Sequence, residues 1–129
     1  MSLPDKLKEA GLNFVEKEDS VWLSGSFTLN DDRTQLFFLN KSANEFCGHK
    51  EYDFMSVVGP ADDAVNVKKA CEMAGGMKRG AIVVDSEGMI CLKMEIPADM
   101  DGASAFSHVQ GVCITADELE KEIFGGDDW

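Results

Sequence analysis

No stretch of the chain approaches the roughly 20 consecutive apolar residues that a membrane-spanning helix needs. Basic residues are scarce: 12 lysines and arginines face 24 aspartates and glutamates, for a formal charge of −12. The densest basic pairs are Lys68-Lys69 and Lys78-Arg79. A nucleic-acid backbone needs a basic stripe and an anionic membrane surface a basic patch, so the sequence predicts neither as a partner. The same charge reads as plain solubility or as a preference for basic partners. No C-x-x-C pair is present among Cys47, Cys71, Cys91 and Cys113, whereas a zinc site usually draws two ligands from one local knuckle. Cys71, Cys91 and Cys113 each sit among apolar residues, as buried free thiols do, so reduced thiols in the cytosol are expected. Residues 1–10 are short, polar and interrupted by Pro4, and do not read as a secretory leader. No catalytic signature stands out, and the expectation is a protein that is not an enzyme and needs no cofactor or metal.

What is present is enough for one core. At 129 residues, 44% of them hydrophobic, the chain buries about two-thirds of its unfolded surface without staples. A single α+β domain is expected over residues 4–124, followed by a flexible acidic tail at 125–129.

The periodicity gives an order of elements. Residues 5–10 can open with a helix, since Pro4 precedes it, Leu3, Leu7 and Ala10 share a face, and Gly11 ends it. From Phe14 the period changes to two: Val21, Leu23, Gly25 and Phe27 alternate with Trp22, Ser24 and Ser26, which predicts a strand. Asn30-Asp31-Asp32 is a polar turn. Residues 35–40 make a second strand with the unbroken apolar run Leu36-Phe37-Phe38-Leu39, residues 42–51 a polar loop, and residues 52–59 a third strand stopped by Pro60. Asp62 or Asp63 caps a helix to about Ala74, with Ala64, Val67, Cys71 and Ala74 on its apolar stripe. Residues 80–85 and 89–96 form a hairpin about Asp85-Ser86-Glu87-Gly88. Residues 103–112 and 116–124 are amphipathic, and the capping box Thr115-x-x-Glu118 suggests a fresh helix start between them. The expected fold is a five-stranded, mainly antiparallel sheet with helices on one face, in the order α-βββ-α-ββ-α.

That order, carried on the opening helix and the strand Val21-Trp22-Leu23-Ser24-Gly25-Ser26-Phe27, the single helix at 61–74, the hairpin ending at Ile96-Pro97 and the acidic closing stretch Asp117-Glu118-Leu119-Glu120-Lys121-Glu122, resembles the fold of type III secretion chaperones. It looks most like their wider bacterial relatives, the YbjN-type family labelled sensory transduction regulators. The resemblance spans residues 4–124 and rests on element order, not on a diagnostic motif, so no functional residue carries over. It implies a dimeric, non-enzymatic protein that binds another polypeptide.

The residues point partly the same way. A sheet covered on one face alternates apolar and polar residues, yet Leu36 to Leu39 and Ile82-Val83-Val84 do not. The third strand offers Phe54 and Val58 to one face and Met55 and Val57 to the other. Either the second face is an interface, or the closing helix or the loop at 42–51 covers it. The expected partner-binding residues are Trp22, Phe37 and Leu39, although Trp22 reads equally as core. The expected homodimer contact is the second helix at Val65, Lys68 and Lys69, or the second sheet face. The alternative function is a small-molecule sensor or regulator with a pocket between sheet and helices.

Other motifs carry less. Cys47-Gly48-His49 is conceivable as a metal or nucleophile pair, but no further ligand stands near it in the sequence. The carboxylate pairs Asp31-Asp32, Asp62-Asp63, Asp99 with Asp101, and Asp127-Asp128 read as turns, caps and tail. Residues 75–80 follow a helix and open a strand, the reverse of a phosphate loop. Trp129 beside two aspartates is a short recognition motif or a tail without function. The seven methionines suit irregular cores or adaptable binding surfaces.

Overall fold

The computed structural model describes residues 1–29, 33–76 and 80–125. Among the described residues three helices and seven strands follow in the order α1 (Leu3–Glu9), β1 (Val15–Glu16), β2 (Trp22–Thr28), β3 (Thr34–Asn40), β4 (Asn44–Phe46), β5 (His49–Pro60), α2 (Ala64–Ala74), β6 (Ala81–Val84), β7 (Met89–Pro97) and α3 (Gly102–Phe124). The strands form one antiparallel sheet ordered β1-β2-β3-β5-β7-β6, with β4 paired to β5 beside that path.

The α+β class stands, but the expected five-strand count and α-βββ-α-ββ-α order do not. Two short strands are added. β1 holds only Val15 and Glu16, both exposed, too few residues for any alternation to be read. β4 lies inside the segment expected to be a loop and turns back into β5 through Cys47 and Gly48, both at positive φ, 51° and 80°. Two left-handed residues match the twist of a tight hairpin, a role usually filled by Asn-Gly or Asp-Gly; cysteine in the first position hides the signal. The expected break near Thr115 is also absent. α3 runs unbroken for 23 residues, and the Thr115 hydroxyl donates to the Gly111 carbonyl one turn back, so it serves inside the helix and caps nothing.

The opening helix starts two residues earlier than expected, capped by Ser2 with Pro4 in its first turn. Asp63 caps α2 by accepting from the Val65 amide at 2.8 Å. Asp85 Oδ1 accepts from the amides of Glu87 and Met89, both at 2.9 Å, which fixes the β6–β7 turn. The turn at Asn30-Asp31-Asp32, the pair Lys78-Arg79 and tail residues 126–129, with Trp129, lie outside the described residues; Gly125, the first residue of the expected tail, is the left-handed C-cap of α3.

The core lies between the sheet's inner face and the helices. Leu3 and Leu7 of α1, Val109, Val112, Ala116 and Leu119 of α3, and Ala70 of α2 pack with Leu23, Phe37, Leu39, Phe54, Ile90, Leu92 and Ile96 of the strands. Phe37 and Phe54 stack with ring centroids 5.4 Å apart. Arg33 pairs with Asp117 at 2.9 Å, and Lys121 pairs with the other oxygen of the same carboxylate at 3.3 Å, tying the start of β3 to α3.

β5 carries a bulge between Val57 and Gly59, where its register against β7 shifts. An extra residue on one strand lets neighbours face the same way, so Val58 and Gly59 both face the helices: Val58 is in the core, and Gly59 pairs with inward-facing Ile90. A Cβ at Gly59 would stand 2.4 Å from the Phe124 ring, so glycine here lets the last turn of α3 close on the sheet.

The apolar stripe of α2 is rotated from the expected one. Ala70 is buried, Val67, Met73 and Ala74 are half-buried, and Ala64 and Cys71 face solvent. Cys71 is therefore exposed, not a core thiol. The helix packs on the core through Val67, Ala70 and Met73, a narrow seam at three-residue spacing.

Adjacent phenylalanines report which face is core. Phe37→Ala should lower stability by about 3–5 kcal/mol, and Phe38→Ala by only about 1 kcal/mol, measured by urea unfolding of the two variants.

Candidate functional site

The sheet face opposite the helices is where exposed apolar residues gather. Cross-strand register places its side chains in rows. Trp22, Asn40, Asp53 and Glu95 form the first; Ser24, Phe38, Met55 and Lys93 the second; Ser26, Leu36, Val57, Cys91 and Val83 the third. Met55, Val57 and Cys91 are buried at the centre, with Trp22, Leu36, Phe38, Val83 and Met89 packed around them and partly open to water. Trp22 and Phe38 meet edge to face, centroids 6.4 Å apart at 68°, a favoured aromatic geometry.

A twisted sheet lifts two diagonally opposite corners of each face. The loop before β2 and the β6–β7 turn stand at opposite ends of this face and line one cleft. Between them lies an open cleft of about 590 Å³, floored by Trp22, Phe38, Met55 and Val83 and flanked by Asp19 and Ser20 on one side and Asp85 and Glu87 on the other.

The polar groups along the first row are organised. The Asp53 amide donates to Asn40 Oδ1 at 2.7 Å, and Asn44 Nδ2 donates to Asn40 Oδ1 at 3.0 Å and to Asp53 Oδ2 at 3.2 Å. Lys93 Nζ lies 3.7 Å from Asp53 Oδ2 and 3.8 Å from Glu95 Oε1, so both are ion pairs beyond hydrogen-bond range.

The expected partner-binding set divides between the two faces. Trp22 belongs to this outer face, half-buried at its corner. Phe37 and Leu39 do not: both are fully buried on the inner face, and their places outside are taken by Leu36 and Phe38. The apolar run 36–39 cannot reveal its own phase, because both alternating sets are apolar; buried Gln35 further disguises it, its amide donating to the Val57 carbonyl at the bulge. Met55 and Val57 face outward and Phe54 and Val58 inward, as their alternation predicts.

The expected dimer contacts on α2 are also unlike one another. Val65 is 71% exposed, and Lys68 is exposed, 3.9 Å from Glu72 one turn on. Lys69 instead reaches its own chain, donating to the Glu122 carbonyl of α3 at 2.7 Å.

The Cys47-Gly48-His49 motif occupies the β4–β5 turn, where Phe46, Cys47 and His49 line a second cleft with Ala98 and Asp99. Among the described residues no group of three or more His, Cys, Asp or Glu side chains is placed to hold a metal ion, and no helix is long and apolar enough to cross a membrane. Cys91 and Cys113 are buried. Burial pushes the Cys91 thiol up to about 12, helped by the charge of Asp85 and by a hydrogen bond to it. Burial likewise raises Cys113 to about 12, against a smaller opposing hydrogen bond with Ser56. Neither thiol supplies a thiolate nucleophile at neutral pH.

No protein-family model matches the chain, and no curated protein matches it significantly.

The folded chain keeps both buried thiols protonated above the pH near 9 at which an unperturbed thiol ionises. Between about pH 9 and about 12 the folded state therefore binds more protons than the unfolded one, and stability falls as pH rises through that window. Cys113→Ala should flatten the decline in an alkaline series of urea melts. At neutral pH a disulfide reagent should label Cys47 and Cys71 quickly, and Cys91 and Cys113 only on unfolding.

Proposed function

We propose that the protein is a non-enzymatic polypeptide-binding module of the type III secretion chaperone kind, taking a partner segment on the outer face of its sheet. One observation carries this reading: Trp22, Leu36, Phe38, Met55, Val57 and Val83 form a contiguous apolar band on the face the helices leave bare. Contiguous exposed apolar surface marks interaction sites in soluble proteins. Tryptophan at the corner is a residue type that anchors interfaces, and methionine at the centre adapts to varied side chains. The chaperone kind comes from the sequence resemblance; of the element order on which that rested, the placing of the helices is kept, one before the first strands, one before the hairpin and one at the end, and the strand count is not.

The sensor reading placed a ligand between sheet and helices. That space is filled by Phe37, Phe54, Ile90, Leu92 and Val109, each at or near zero exposure, and filled space favours the outer face. Self-association through α2, where Val65 and Lys68 stand exposed, is the competing use of surface. Light scattering on a sizing column separates the two: a mass near 14.1 kDa leaves both surfaces free, and a doubled mass unaffected by Phe38→Asp assigns the dimer elsewhere than the outer face.

Titrating the labelled protein with a synthetic peptide that alternates leucine and serine should shift the amide resonances of Trp22, Phe38, Met55 and Val83. Phe38→Asp should weaken that binding at least about tenfold, or ~1.4 kcal/mol, with the fold kept and the melting temperature lowered by several degrees. Shifts confined to the inner face or the β4–β5 turn would overturn the proposal.

A further inference from the structure

The outer cleft mixes two kinds of surface that neither plain apolar capture nor solubility requires together. Its floor is aromatic, Trp22 against Phe38. Its flanks carry four carboxylates, Asp19, Asp53, Asp85 and Glu87, against two lysines, Lys17 and Lys93. Lys93 already sits among the carboxylates, yet it meets Asp53 and Glu95 only at 3.7 and 3.8 Å. A cation is thus held loosely at the first-row carboxylates, within the same cleft that exposes the aromatic pair. Asp53 is fixed from behind through Asn40 and Asn44, so its orientation does not depend on Lys93.

We infer that this corner is a seat for an arginine side chain of the partner, with the guanidinium displacing Lys93 from Asp53 and lying against the rings of Trp22 and Phe38. The inference rests on the docking proposal above and deepens it: the partner is an extended segment in which arginine alternates with apolar residues. Charge complementarity selects that occupant. A second copy docked face to face would set four carboxylates against four, on chains each carrying −12. Arginine fits better than lysine because a planar guanidinium stacks on aromatic rings and pairs with a carboxylate at once. A lysine ammonium is a compact, strongly hydrated point charge, as the loose pairing of Lys93 illustrates.

The test uses the full chain and three short synthetic peptides, alternating leucine with arginine, with citrulline or with glutamate. Citrulline keeps the shape of arginine and removes its charge. Calorimetry at low and moderate salt should show the arginine peptide binding about tenfold more tightly than the citrulline peptide, the glutamate peptide weakest, and the arginine advantage shrinking with salt. Asp53→Asn should abolish the arginine advantage, and Asp53→Glu should restore part of it, with melting temperatures confirming that both variants fold. Equal binding of arginine and citrulline peptides, both lost in Phe38→Asp, overturns the arginine seat and leaves polypeptide docking standing. An arginine advantage that survives Asp53→Asn also overturns the seat, assigning the preference to the acidic surface at large. Binding of none of the peptides overturns both proposals, as does a dimer at working concentration that Phe38→Asp dissociates.

Discussion

The whole arrangement depends on one long helix lying across one face of one sheet. α3 spans 23 residues, and its buried positions, Ala105, Val109, Val112, Cys113, Ala116 and Leu119, press on the stacked rings of Phe37 and Phe54 and on the aliphatic rows of β7. α1 and α2 complete that layer from its margins. All three helices contribute to a single core cluster with the inner-face residues, so burial is spent on one side. Hydrophobic burial is the dominant favourable term in folding, and here it sets which residues are left facing the other way. The outer face is a by-product of that choice, and its apolar content is then a property in its own right.

The bulge in β5 links the two faces. It shifts the phase of the central strand after Val58, so that Gly59 faces the helices as Val58 does and comes under the Phe124 ring. A residue inserted in one strand also increases local twist, and the strand that carries it supplies Met55 to the cleft floor. Core geometry and cleft shape are therefore coupled through the backbone of one strand.

Much of this was legible in the residues. The β6–β7 hairpin, the Asp63 cap, the proline-led first helix and the opposed phases of Phe54 and Met55 follow from turn chemistry, capping and period-two alternation. The unreadable parts have physical reasons. A two-residue strand has no period. A cysteine in a left-handed turn position imitates no known hairpin signal. A capping box inside a continuous helix is satisfied by the preceding turn. For the site, the alternation of β2 put Trp22 on the right face, whereas Leu36-Phe37-Phe38-Leu39 carries apolar residues in both phases, so only the packing of α1 and α3 decides that Phe37 and Leu39 are core. Asp53 was not singled out because its neighbours Asn40, Asn44 and Lys93 are separated from it along the chain and meet it only through strand pairing.

The ends of the sheet have a meaning of their own. β1, at one edge, offers two residues, and β6, at the other, four. Edge strands template the growth of sheets from one molecule to the next, and very short edges blunt that tendency. A chain that displays an apolar sheet face would be a candidate for runaway polymerisation if its margins were long and flat. With brief margins and 24 acidic residues, contact between molecules is steered away from backbone pairing, and the exposed face stays addressable by side chains without the sheet becoming the seed of a fibre.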